Sequence, residues 1–181
     1  MDFKEKTIRS EYIYKGKIVN LRVDEVELPN GKISTREIVE HGGAVGIVVL
    51  FDRKEVLLEK QFRKPLEDEL LEIPAGKLEN GESPSSGAER ELLEETGLTN
   101  GKWVKLGGFY SSPGFTNEYL HIFLCEDPDN GEPAPDEDEF IRLVRIKLED
   151  LMSMIFNEEV RDAKTVAGLL MALSYISSKE S

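Results

Sequence analysis

The sequence predicts an α/β protein: an α/β/α sandwich around a mixed central sheet, with a small antiparallel sheet ahead of it. Three observations carry this reading. Ala44–Phe51 is a continuous apolar run, as expected of a central strand covered on both faces. Residues 83–97 form a fully punctuated helix. Ser83 suits the N-cap, Pro84 the first helical position and Gly97 the left-handed residue past the last turn. Residues 1–41 alternate and turn repeatedly, which marks them as a separate antiparallel sheet.

Within that first segment, residues 10–14, 18–28 and 33–40 read as strands. Gly16 punctuates the first pair, and Pro29-Asn30-Gly31 is the turn between the next two. So small a sheet needs something to pack on. Gly42-Gly43 marks the boundary, giving an N-terminal, dimerising segment at 1–41 and a main domain at 42–181. In the main domain, residues 55–61 form a strand after the Asp52-Arg53-Lys54 turn, and residues 70–74 a short strand ending at Pro74-Ala75-Gly76. Residues 102–110 and 118–126 are strands separated by a Ser-Pro-Gly loop. A Pro- and acid-rich loop covers 127–139, and 141–146 is a further strand. Residues 148–159 and 162–177 read as helices, with Asp162 as the second N-cap. Met152, Ile155, Leu169, Leu170 and Leu173 lie on their apolar stripes.

The 181 residues suffice for one compact domain and a small accessory element. A formal net charge of -13 repels phosphate backbones, so nucleic acid is not an expected partner. It also repels a small anionic substrate unless bound cations invert the local field, although a solubilising acidic surface accounts for most of the excess by itself. Cys125 is the only cysteine, which excludes an intrachain disulfide and a cysteine-based zinc cage. The N-terminus lacks the apolar run of a signal peptide, and no segment approaches the ~18 apolar residues of a membrane span. A cytoplasmic protein without membrane association is expected.

The helix at 83–97 carries the chemistry. Glu91 and Glu95 are four residues apart and share a face, and Glu94 joins them across the next groove. Like charges at this spacing repel. Such a flank is either a solvated acidic face or a set of oxygen ligands for a hard divalent cation.

The surroundings of the triplet decide between these. Gly76 is followed by five residues, Glu82, seven residues, and Arg90-Glu91-Leu92-Leu93-Glu94-Glu95-Thr96-Gly97-Leu98. This segment resembles the signature of the Nudix hydrolase family at every fixed position. The resemblance implies Mg2+, with Mn2+ or another divalent cation as a substitute. It implies Glu91, Glu95 and Glu94 as metal ligands, together with the backbone carbonyl of Ala75. Arg90 would pair with Glu82 and orient the carboxylates, and Gly76 and Gly81 would let the loop fold tightly. The implied reaction is attack of water on a diphosphate linkage.

The rest of the chain resembles the ADP-ribose pyrophosphatase branch of that family. The carrying segments are Arg36-Glu37-Ile38-Val39-Glu40-His41-Gly42-Gly43-Ala44-Val45, Gln61-Phe62-Arg63 and Glu72-Ile73-Pro74-Ala75-Gly76. Pro113 lies sixteen residues beyond Gly97, within Ser111-Ser112-Pro113-Gly114-Phe115, and Asp136-Glu137-Asp138-Glu139-Phe140 follows the acidic loop. The resemblance implies that Arg63 contacts the diphosphate, against the alternative of a strand-end charge. It implies that Arg36 helps sandwich the adenine, against a sheet-surface charge, and that Pro113, Gly114 and Glu118 border the substrate. Glu137 would be the general base and Glu139 a further metal ligand. The aromatic partner that the family often places near Ile18-Val19 is absent, which leaves the adenine's other neighbour unassigned. A homodimer is implied, formed by exchanging the N-terminal sheet. His41 and His121 are expected to be structural and Trp103 to pack. Rival readings are hydrolysis of another nucleoside diphosphate sugar or of a dinucleotide, and a non-catalytic nucleotide-binding regulator.

Overall fold

A computed structural model describes residues 2–132 and 140–180 of the chain. It divides into two compact units. One takes in residues up to Gly43 together with Tyr110–Tyr119, the other Ala44–Phe109 and the chain from Leu120 onward.

The first unit is a three-stranded antiparallel sheet in the order β1-β2-β3, with β1 Lys6–Lys15, β2 Asn20–Glu27 and β3 Ile33–Glu40. The β2–β3 turn falls where expected. Gly31 adopts φ 80°, and its N–H donates to the Leu28 carbonyl at 2.8 Å. β1 begins four residues earlier than the alternation suggests. Its register shifts between Thr7 and Arg9 and again between Tyr12 and Tyr14, which disturbs the period of two that reveals a strand in sequence. Every residue of β1 is exposed, including Ile8, Tyr12, Ile13 and Tyr14. The segment 110–119 is tied to β3: the Val39 N–H donates to the Phe115 carbonyl at 2.8 Å, and the His41 N–H to Asn117 Oδ1 at 2.8 Å.

The second unit is the sandwich. Apart from the strand-end residues Tyr110 and Tyr119, which fall in the first unit, its strands are β4 Ala44–Phe51, β5 Glu55–Arg63, β6 Asp68–Glu72, β7 Ala75–Lys77, β8 Leu98–Thr99, β9 Lys102–Tyr110, β10 Tyr119–Glu126, β11 Asp129–Asn130 and β12 Ile141–Lys147. Its helices are α1 Pro84–Thr96, α2 Leu151–Phe156 and α3 Ala163–Glu180. Among the described residues the main sheet runs β12-β5-β4-β10-β9, with β6 paired to β5 and β7 to β4, while β8 and β11 form a separate pair. It is mixed, because β4 and β10 run parallel while β5, β7 and β12 join antiparallel.

β4 explains the layers. Val45, Ile47 and Val49 pack with Ala88 and Leu92 of α1, whereas Val48 and Leu50 pack with Leu151 of α2 and Leu169, Ala172 and Ile176 of α3. Successive side chains leave opposite faces of a strand, so a strand with both faces covered must be apolar throughout. The predicted helix over 148–159 is shorter than expected. Leu148–Asp150 is a 3₁₀ turn, α2 ends at Phe156, and Glu158 takes a left-handed φ of 61° that ends helical geometry. The three-residue β7 and the two-residue β8 and β11 are too short to leave a periodic trace.

Cys125 is buried on the α1 side, where burial pushes its thiol up to about 12 and leaves it inert. No helix among the described residues is long and apolar enough to cross a membrane.

Candidate active site

α1 is built as its sequence dictates. Ser83 caps it by accepting from the Ser86 N–H at 3.2 Å. Gly97, at φ 71°, closes it with its N–H on the Leu93 carbonyl at 2.9 Å. Burial of Gly87, Ala88 and Leu92 fixes the helix on the sheet and leaves the acidic flank beside the loop that precedes it.

Arg90 organises that flank. Its Nε and Nη2 donate to the two oxygens of Glu82, each at 2.9 Å. Its Nη1 reaches Glu91 and Glu94, each also at 2.9 Å, and Nη2 donates to the Lys77 carbonyl at 3.0 Å. This is a planar fork used on several edges at once. The Arg90 hydrogen bonds, with the Glu79 N–H, lower the Glu82 carboxyl from 4.5 to about 2. Glu82 in turn heads the interactions that raise Arg90 above its ordinary value.

Glu91 and Glu95 are held against the backbone of β7. A Cβ on Gly76 would lie 1.9 Å from the Glu91 carboxyl carbon, so Glu91 occupies space that only glycine leaves open. Glu95 is buried and accepts from the Ala75 N–H at 3.0 Å. Three carboxylates, Glu82, Glu91 and Glu94, thus face the Arg90 guanidinium, while Glu95 sits against the Ala75 N–H and feels Arg63. Among the described residues, no three acidic, His or Cys side chains are already converged on a point that could hold a metal. Arg90 instead lies between Glu91 and Glu94. The donor set is all carboxylate oxygen and remains in excess over Arg90, which suits a hard divalent cation.

The other predicted residues fall in three groups. Arg63, the last residue of β5, does not stand free: its Nε and Nη2 grip Glu72 at 2.6 and 2.7 Å. Arg36, Pro113, Gly114 and Glu118 belong to the first unit. There Arg36 forks onto Glu5 at 2.9 and 2.5 Å, and Glu118 lies 3.5 Å from His41 Nδ1. His41 Nδ1 also accepts from the Gly43 N–H at 3.1 Å, which fits a role in shaping the chain at that point. Glu137 and Glu139 lie outside the described residues. Trp103 packs edge-on against Phe123 at 6.3 Å, and burial lowers the pKa of His121. In the sequence Glu72 stands out only as part of the segment 72–76, without a role, and Lys164 does not stand out. The available signal was a carboxylate interrupting the apolar stretch Leu70-Leu71-Glu72-Ile73, where an unpaired charge would be costly.

A glycine-backed loop and an arginine-clasped acidic helix, carried on an α/β/α sandwich, define a phosphohydrolase scaffold of the Nudix type. The chain belongs to the NUDIX domain family, whose model matches residues 40–169. The model of the nucleoside diphosphate sugar hydrolase N-terminal domain matches residues 5–39. The chain is 49% identical over 179 residues to an ADP-ribose pyrophosphatase of Bacillus subtilis, covering 98% of this chain and 95% of that protein. It is 43% identical over 180 residues to a methanol dehydrogenase activator of Bacillus methanolicus, with the same coverage. Its fold matches the crystal structure of an ADP compounds hydrolase with a TM-score of 0.87 at 22% identity, over 97% of this chain and 96% of that one.

Two outcomes follow from the geometry. In Gly76→Ala the new Cβ meets the flexible end of Glu91, so Glu91 must move while the fold persists. Pyrophosphohydrolase activity should fall about tenfold or more, with a thermal midpoint close to that of the wild type; unchanged activity would show that the Glu91 position is immaterial. The second outcome concerns pH. A carboxylate lowered in the fold contributes stability above its unfolded pKa, and that contribution is lost as pH falls through the folded value. Wild type and Glu82→Gln should therefore differ in thermal stability at neutral pH. The difference should shrink between pH 4.5 and about 2. A difference independent of pH would show that the Glu82 charge contributes nothing.

Proposed function

We propose that this protein hydrolyses the diphosphate bond of ADP-ribose with Mg2+, giving AMP and ribose 5-phosphate. The observation that carries the proposal is the complete set of family carboxylates, Glu82, Glu91 and Glu94 clasped by Arg90 and Glu95 held on the Ala75 N–H, in a chain aligned end to end with a bacterial ADP-ribose pyrophosphatase. Glu91, Glu95 and Glu94, with the Ala75 carbonyl, are the residues that would hold the cation. Bound there, it supplies charge neutralisation on the phosphates and a more acidic water. Arg90 and Glu82 keep the carboxylates in place and limit their mutual repulsion. Arg63 meets the diphosphate, and Arg36, Pro113, Gly114 and Glu118 border the nucleoside and ribose. Glu137 takes the water's proton, and Glu139 adds a ligand. The chain acts as a homodimer. The apolar side chains exposed along β1 support this, since a small sheet with such a face gains from burying it against a second copy.

A different nucleoside diphosphate sugar is the nearest alternative, in keeping with the N-terminal match. The relative named as a methanol dehydrogenase activator favours a regulatory reading, but all the box carboxylates are present here, which favours catalysis.

Product analysis with a panel of nucleoside diphosphate compounds and Mg2+ should show ADP-ribose turned over fastest. Glu95→Gln should lose orders of magnitude in kcat while remaining folded, and near-wild-type turnover would overturn the site assignment. In the same assay Glu137→Gln should lower kcat by roughly 10²–10⁴-fold with little change in KM, whereas Glu139→Gln should raise the Mg2+ requirement. A kcat within about threefold of wild type for Glu137→Gln would place the base elsewhere. Light scattering should report a dimer at micromolar concentration; a fully active monomer would refute the assembly.

A further inference from the structure

Beside the carboxylate helix, the second unit holds a run of charges built on the buried Glu72, and Arg63 in that run also feels the Glu95 carboxylate. Arg63 uses one edge of its guanidinium, Nε and Nη2, to grip both oxygens of Glu72. That pairing engages two of its five N–H donors. Glu72 is 3% exposed, and such a carboxylate is tolerated only with close partners. Its second partner is Lys164, 14% exposed, whose Nζ donates to Glu72 Oε2. Lys164 is held in turn by Asp162 at 3.1 Å. Asp162 caps α3 by accepting from the Thr165 N–H at 2.9 Å and from its hydroxyl at 2.6 Å. The Thr165 hydroxyl oxygen also accepts from the Ile73 N–H at 2.8 Å, two residues before Ala75. The start of α3 is therefore bolted to the strand end that carries Glu72.

We propose that Lys164 and Glu72 are positioning residues for Arg63: Lys164 pins the Glu72 carboxylate to α3, and Glu72 sets the plane and reach of the guanidinium that meets the diphosphate. The inference rests on the proposed role of Arg63 in substrate binding. An arginine has many rotamers, and one fixed before substrate arrives loses less freedom on binding. Glu72 alone cannot fix it, because a carboxylate with one partner is free to follow that partner. Lys164 supplies the second hold from a rigid helix end. Burial pushes the Glu72 carboxyl up, yet the Arg63 hydrogen bonds and Lys164 together leave it below its ordinary value, so the anion that both cations need is maintained.

The test measures kcat, KM and thermal midpoint for the substrate turned over fastest in the panel above. The variants are Arg63→Met, Glu72→Gln, Lys164→Met, Lys164→Arg and the double variant Arg63→Met/Lys164→Met. Arg63→Met, Glu72→Gln and Lys164→Met should each raise KM about tenfold, the scale of one lost charged hydrogen bond. Lys164→Arg, which keeps the charge and the donors, should recover most of the loss. The double variant should be no worse in KM than Arg63→Met, because Lys164 acts through Arg63. A wild-type KM in Lys164→Met, even with a lowered thermal midpoint, overturns the proposal and leaves the role of Arg63 standing. Effects on KM that multiply in the double variant overturn it as well. A wild-type KM in Arg63→Met overturns the diphosphate reading of Arg63, and this inference with it.

Discussion

Three carboxylates meet a single guanidinium beside α1, and the balance between them shapes the surrounding chain. Glu82, Glu91 and Glu94 all accept from Arg90, which also reaches the Lys77 carbonyl. An unneutralised cluster of this kind would drive the helix and its loop apart. With Arg90 in place, the loop can close and bring the β7 backbone against Glu91 and Glu95. Gly76 is required there for lack of room, since any side chain would displace Glu91.

The sandwich provides the rigid support for this arrangement. β4 is apolar on both faces because α1 covers one and α2 with α3 the other. β7 pairs with β4 through Ala44, Val45 and Gly46, so the loop that faces the acidic helix is hydrogen-bonded to the central strand. A site mounted this way holds its geometry better than one on free loops. The same logic applies at the start of α3, where Asp162 serves as helix cap and as partner of Lys164. One residue there links a helix end, the ion network around the buried Glu72 and the strand leading to Ala75.

Much of this was legible in the chain. The caps Ser83, Gly97 and Asp162 announced their helices because capping is local chemistry, satisfied within a few residues. The apolar run of β4 announced a strand covered on both sides. The resemblance to the Nudix signature implies that Arg90 holds Glu82, and the two are paired in the structure. Less was visible where long-range pairing decides. β1 extends beyond its alternating part because the ladder with β2 carries residues such as Lys6 and Arg9 that have no strand pattern of their own. The helix expected over 148–159 was broken by a left-handed Glu158, which no residue type there foretold.

What the sequence determined by itself is what depends on spacing and local satisfaction: the α/β class, the capped acidic helix and the carboxylates gathered on one flank. What only the tertiary structure decided is which charges meet. Arg63 and Glu72 are nine residues apart on neighbouring strands, and Lys164 comes from a helix 92 residues beyond Glu72. The antiparallel register sets Arg63 opposite Asp68 and Glu72 opposite Glu59, so these two meet through the reach of the arginine side chain, and Lys164 joins them because of where α3 begins. The physical reason is that burial makes a charge's stability depend on its neighbours in space, and linear spacing carries no record of those neighbours.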